Sequence, residues 1–366
     1  MEDSSEALVN TVGTRSSIPK ELSESISFLR FFLIVLVVYV HAHWQSIGDI
    51  SLTSNPIYCN FAYLISQIIA RCAVPLFFVI SGFLYFQKTS EKFTKEQYVY
   101  KTKKRILSLL IPYLIWNLVF LVLLQVVSII KFGTLKFSIT ESLICFWQNP
   151  ASDDYKPINV PLWFVRDLFV VCLISPIIYF FTKRFGIVFL SISAICYFWK
   201  FSVNIPLYGF PETIFFFSLG GYFAIKQIPP IPNDVIGKAV LVGYPILCFI
   251  EFLYFKGDWG YLKHPIHFFN TFISVIFWVY AIYVLVSSKK IKPNHTLVSA
   301  TFFVYASHII ILGKVGLLLS KIFGISDIGA LVCYICSPIV TIGLLVLCYQ
   351  LGNKISPRIM KICCGR

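Results

Sequence analysis

Residues 28–48 read FLRFFLIVLVVYVHAHWQSIG. The run is long enough to cross a lipid bilayer, which takes about 20 mostly apolar residues. It carries Arg30, His41 and His43. Such groups are costly in lipid and usually mark a site or a water-filled path. Arg30 and His41 are eleven residues apart, roughly three full helical turns, so they share a face with His41 about 16 Å further along. His43 falls on a different face, so the two histidines are badly placed to hold one metal. A snorkelling Arg30 and a packing His41 would fit the same spacing, and spacing alone leaves both readings open.

The rest of the chain fits that first helix. Of its 366 residues, 57% are hydrophobic and 13% charged, and the mean hydropathy is +0.79. A soluble domain carries roughly 45–50% apolar and about 25% charged residues, so the solvent for this chain is lipid. The expected class is an all-α, polytopic helical bundle of about ten transmembrane helices. The spans are expected at roughly 28–48, 61–86, 106–130, 160–181, 186–201, 210–226, 236–255, 265–287, 297–319 and 328–351, the fifth and sixth being short. Residues 1–25, polar and of mixed charge, are expected as a cytosolic tail and not as a cleavable signal. Residues 26–352 form the membrane domain, and 353–366 a basic cytosolic tail.

The net charge of +14 does not point to nucleic acid, because the basic residues sit in short clusters between apolar runs. With the amino terminus inside, 21 of the 31 Lys and Arg residues fall in inner segments and seven in outer loops. That bias orients a membrane protein and places both termini in the cytoplasm. The inner loop 88–105 is the densest cluster, with Lys88, Lys92, Lys95, Lys101, Lys103, Lys104 and Arg105 against Glu91 and Glu96. It would contact anionic lipid or attract a polyanionic donor. The long outer loop 131–159, with Glu141, Asp153, Asp154 and Tyr155, would receive a polar substrate. Most of the eleven cysteines lie in apolar runs and read as small hydrophobes.

Other ionisable groups fall inside spans. Arg71 is deep in the second, followed by Pro75, which breaks the backbone ladder, and by Ser81 and Gly82, which permit close helix approach. Arg166 and Asp167 open the fourth, after Trp163. Glu251, Lys314 and His308 lie in later spans. His264 and His267 are spaced like metal ligands but lack an evident third, so no metal site is expected.

With these residues placed, the chain resembles the acyltransferase-3 family of integral membrane acyltransferases. The resemblance rests on Arg30-x10-His41; on Val74-Pro75-Leu76-Phe77-Phe78-Val79-Ile80-Ser81-Gly82-Phe83 preceded by Arg71; on Lys104-Arg105-Ile106-Leu107 through Pro112-Tyr113; on Pro161-Leu162-Trp163-Phe164 with Leu168 and Pro176; and on Phe303-x-Tyr305 followed by His308. The matches run in order from residue 30 to about 310. One departs from the pattern: Ser108 stands where many relatives have the second arginine of an RxxR pair.

The resemblance implies transfer of an acyl group, usually acetyl, from cytosolic acyl-CoA to a hydroxyl of a glycan or lipid-linked sugar. His41 would be the general base and Arg30 its catalytic partner or a phosphate ligand. Arg71, Lys104 and Arg105 would bind the donor, with Trp163, Arg166, Asp167 and His308 as secondary candidates. Acetyl-CoA enters as substrate, with no tightly bound cofactor, and the remaining partners are membrane lipids. Location in a bacterial cell membrane is expected. A multi-pass transporter or flippase of a polar or glycolipid substrate is the alternative, since intramembrane Arg and His serve such proteins too.

Overall fold

The computed structural model of the chain describes residues 18–43, 54–87, 89, 92–150, 155–199, 208–256 and 263–366. Trp44, Lys88, Glu91, Asp153 and Asp154 lie outside these residues, as do the side chains of His43 and His264. Among the described residues the chain is helical, with no strand.

The first helix, α1 (Lys20–His43), begins eight residues before the span expected at 28, and Leu22 and Ser25 are already buried. Helix α2 (Pro56–Gln87) and α3 (Lys95–Phe132) follow, then the short outer helix α4 (Ile139–Ile144). The fourth expected span is broken. Helix α5 (Trp163–Leu173) ends just before α6 (Ser175–Phe198), which has Pro176 in its first turn. Then come α7 (Phe210–Ile225), α8 (Asp234–Lys256), α9 (Lys263–Ser287), α10 (His295–Phe323), α11 (Asp327–Ile355) and α12 (Pro357–Cys363). Eight of these helices are long and apolar enough to cross a membrane.

Helix α6 is a hairpin. Gly186 has φ +40° and ψ −107°, a backbone that L side chains avoid. Phe181 and Phe189 would stand about 12 Å apart along a straight helix, yet their rings stack with centroids 5.5 Å apart. The chain therefore turns back at Gly186, and the short expected fifth span is the second arm. Counted this way, ten segments run between the two ends of the bundle among the described residues. At one end Asp327, opening α11, accepts from the Ile57 and Tyr58 amides at 3.0 and 2.8 Å, so its charge faces the exposed donors of a helix N-terminus. At the other end Lys226 Nζ donates to the Lys183 carbonyl at 3.2 Å, beside the Gly186 turn.

Helix α1 is central, packed by α2, α9, α10 and α11, with Leu29, Leu33 and Val38 buried. Helices α3, α6 and α8 are peripheral. Leu118, Val122, Ile130, Ile177, Phe180, Val242 and Phe249 are exposed along them, apolar surface that suits lipid and not water.

Two helices carry irregular turns, and both precede a proline. In α2, a π turn (Leu64–Ile68) and a 3₁₀ turn (Ile69–Cys72) precede Pro75. In α3, a π turn (Ile106–Leu110) precedes Pro112. Proline has no amide hydrogen and its ring crowds the carbonyl four residues earlier, which is Arg71 and Ser108 respectively. The backbone rewinds in that turn, and π turns often mark functional positions.

The tightest helix contact joins α2 to α7. A Cβ on Gly82 would lie 2.0 Å from the Phe217 carbonyl oxygen, and one on Gly220 would lie 1.9 Å from that of Val79. Small residues drive such approaches in lipid, where apolar burial gives little preference for one neighbour over another. Gly220→Ala should cost about 1–3 kcal/mol by overpacking. Gly243→Ala, which meets no neighbour within 4 Å, should be neutral or up to about 1 kcal/mol stabilising. Thermal unfolding of the two variants in one detergent checks the contact, and equal melting temperatures would contradict it.

Candidate active site

The site grows from the rewound stretch of α2. Gln67 lies on its π turn and Arg71 on its 3₁₀ turn. Arg71 donates from Nε to Gln67 Oε1 at 3.1 Å and also through its Nη2. Gln67 is neutral, so this bond orients the guanidinium without supplying a counter-charge. Arg71 borders a cavity of about 580 Å³ between α1, α2, the start of α5, α7, α9 and α10. His41, Lys156, Glu212, His267 and Tyr305 also line it. Most of the remaining wall is apolar, including Val37, Val40 and Phe77.

His41 does not stand alone. His308 on α10 is fully buried, and the two imidazole centroids are 5.2 Å apart. His308 Nδ1 lies 2.6 Å from the Tyr305 carbonyl oxygen. A carbonyl only accepts, so Nδ1 carries the hydrogen and Nε2 is left as an acceptor. That Nε2 is buried with no hydrogen-bond partner among the described residues. The neighbouring His41 imidazole carries an N–H of the kind that would satisfy it.

The opposite wall holds a second histidine. His267 Nδ1 is 2.7 Å from Glu251 Oε1, and Asn270 donates to the other carboxylate oxygen. Glu251 is buried, while His267 remains partly open. The carboxylate fixes the orientation of an imidazole that borders the cavity.

Arg166 and Asp167 take a bracing position. The Arg166 side chain is almost fully buried and donates to Asp167 Oδ1 at 2.9 Å, to the Trp147 carbonyl at 2.6 Å and to the Tyr155 carbonyl at 2.8 Å. Asp167 Oδ2 accepts from the Gly209 amide at 3.2 Å. One ion pair thus ties the outer loop and the start of α7 to α5. Those segments carry Lys156, Tyr208 and Glu212 to the cavity, where Trp163 packs edge-on to Tyr208 with centroids 5.0 Å apart.

The candidates separate into two groups. Arg71, expected among donor ligands with Lys104 and Arg105, lies instead in the cavity with His41. Arg30 is exposed yet flanked by protein on most sides, and Arg105 and Arg366 both lie within its electrostatic reach. Lys104 is exposed, with its ammonium 4.4 Å from the Tyr100 ring centroid. Lys101 is spent on the end of α2: its Nζ donates to the Tyr85 carbonyl and, at 2.8 Å, to Thr89 Oγ1. Sequence reasoning did not bring Lys156, Glu212, Gln67 or Tyr208 to the site. It noticed Glu251 and His267 separately, and a carboxylate stranded in an apolar span was the available signal for their pairing.

A family model described as an acyltransferase domain matches residues 23–349. The chain belongs to the acyltransferase-3 family. It is thus a multi-pass membrane protein with a family domain spanning α1 to α11. It is also similar to a succinoglycan biosynthesis protein, ExoH, of Rhizobium meliloti (strain 1021), with 27% identity over 166 residues. That match covers 45% of this chain and 44% of ExoH, so the chain spans less than half the length of this relative. No solved structure matches the chain. Within the acyltransferase domain, the Arg30–His41 helix, the Arg71 turn and the His308 helix all fall inside the matched residues.

Replacing Asp167 tests the brace. Asp167→Ala leaves Arg166 buried without its counter-charge and should cost about 3–5 kcal/mol, read as a lower melting temperature. A melting temperature like that of the unaltered protein would show the pair to be dispensable for stability.

Proposed function

We propose that the protein transfers an acyl group, acetyl foremost, from acyl-CoA to a hydroxyl of a glycan or lipid-linked sugar in the cell membrane. The carrying observation is the placement of His41 on the wall of a polar cavity, backed by His308 and facing the same space as Arg71. Family membership supports the reaction class. The succinoglycan protein supports a polysaccharide as acceptor.

The chemistry follows from the groups present. The acceptor hydroxyl attacks the thioester carbonyl. As the new C–O bond forms, His41 takes the hydroxyl proton; a neutral imidazole suits that role. His308, its ring centroid 5.2 Å from that of His41 and its Nε2 unpartnered among the described residues, would take the other His41 N–H as the rings close and so fix the tautomer. Arg71 stabilises the negative charge that develops on the carbonyl oxygen. Collapse of the adduct breaks the C–S bond, and the departing thiolate takes the proton from His41.

The layout gives the reaction a direction. Arg30 stands at the inner end of α1 and His41 about 16 Å further along the helix. The nucleotide end of the donor binds at the inner crevice, and its extended pantetheine arm carries the thioester toward His41. The acceptor enters from the outer side, where Trp163 and Tyr208 offer aromatic surface and the Glu251-braced His267 offers a ring nitrogen to a sugar hydroxyl.

Purified protein in nanodiscs should release thiol from acetyl-CoA in the presence of membrane extract containing the acceptor, with a matching gain in glycan ester. His41→Ala should lower the rate by about 10²–10⁴-fold, and Arg71→Ala by about 10²–10³-fold, at equal protein level. An unchanged rate in His41→Ala would remove it as base. Substrate crossing the membrane without thiol release would favour the transporter instead.

A further inference from the structure

The last helix returns toward α3. Trp116 Nε1 donates to the Cys363 carbonyl at 3.0 Å, which ties the end of α12 to α3. Beyond it Gly365 presses on the backbone of Ser108: a Cβ there would lie 2.2 Å from the Ser108 carbonyl oxygen. Gly365 also has φ +66°, a conformation glycine adopts without strain. Two requirements thus meet at one residue, and both serve to seat the next one.

That next residue is Arg366. Its guanidinium donates to the Ser299 carbonyl at 2.7 Å and to the Tyr349 hydroxyl at 3.3 Å. Both partners are neutral. Arg105, three residues before Ser108, lies with its guanidinium 5.6 Å from the Tyr85 ring centroid, which is neutral as well. Arg30 is the third member, exposed, with the other two in electrostatic reach. No acidic side chain is paired with these three guanidinium groups among the described residues, and their N–H donors suit an anion with several oxygen acceptors.

We propose that Arg366, seated on Ser108 by Gly365, completes a three-arginine phosphate site with Arg30 and Arg105 that holds the nucleotide end of the acyl donor. This rests on the donor placement proposed above and adds a residue that lies outside the matched family domain. It also accounts for Ser108. The charge missing at that position is brought by a distant part of the chain, and a small side chain at 108 lets Gly365 lie against the α3 backbone.

Phosphate oxygens could equally come from an anionic lipid headgroup, so the test uses both. Coenzyme A is titrated against the protein in nanodiscs of phosphatidylcholine alone and of phosphatidylcholine with phosphatidylglycerol. Compared are the unaltered protein, Arg366→Gln, Arg105→Ala, and Gly365→Val, which displaces the seat but leaves Arg366 in the chain. Arg366→Gln and Gly365→Val should each weaken coenzyme A binding about tenfold or more, the loss expected for one charge-assisted phosphate contact. The melting temperature of Arg366→Gln should stay near that of the unaltered protein. If Arg105→Ala weakens binding and Arg366→Gln does not, the three-arginine site is overturned while the donor placement stands. If all variants bind coenzyme A equally, the donor placement falls too. If phosphatidylglycerol displaces coenzyme A from the unaltered protein but not from Arg366→Gln, and coenzyme A binds both equally without it, Arg366 holds a lipid and the proposal fails.

Discussion

A proline inside a membrane helix leaves the carbonyl one turn before it without its usual donor, and in hydrocarbon there is no water to replace that donor. Pro245 and Pro338 sit within unbroken α-helix, but before Pro75 and before Pro112 the backbone rewinds, and each time the rewound turn holds or follows an arginine. The rewinding before Pro75 turns Arg71 and Gln67 toward the cavity. The rewinding before Pro112 follows Arg105 and includes Ser108, the residue on which Gly365 rests. A regular helix would place those side chains differently on the helix surface.

The protein thereby separates charge into two places. The cavity gathers His41, Arg71, His267 and Glu212 in the company of aromatic rings. Away from it, Arg105 and Arg366 lie within electrostatic reach of Arg30. Helix α1 contributes to both, and between Arg30 and His41 its residues are almost wholly apolar. A polar head, a long slender arm and a reactive end fit that distribution better than a compact solute does. The buried Arg166–Asp167 pair contributes shape: its hydrogen bonds reach two carbonyls and one amide on separate segments. Buried ion pairs add little net stability, so fixing geometry is the better account of this one.

Much of this was legible in the sequence. Arg30 and His41 announced themselves because ionised groups are rare in lipid, and Arg71 did so for the same reason. Pro75 and Gly82 foretold an irregular, closely packed helix. What the sequence hid were relations between distant elements. Gly82 does not name Gly220 as its partner. Glu251 and His267 lie on separate helices, and neither motif nor period links them. Arg366 read as one more basic residue in a tail, because only the fold lays that tail on Ser108. The Gly186 turn was hidden for a simpler reason: hydropathy sees a long apolar stretch, and only a backbone angle shows that it doubles back.

That doubling has a consequence for the surrounding lipid. The second arm of α6, from residue 187 to Phe198, rises only about 18 Å, and α7, with 16 residues, about 24 Å. The hydrocarbon layer of a typical bilayer is about 30 Å thick. Ile187, Val188, Ile192 and Ile195 on that arm are exposed, so lipid meets the protein there along a wall shorter than itself, and short walls draw the two leaflets together. Tyr197 and Glu212, at the outer ends of these segments, border the cavity. A bilayer that follows this wall would be thinned beside the cavity.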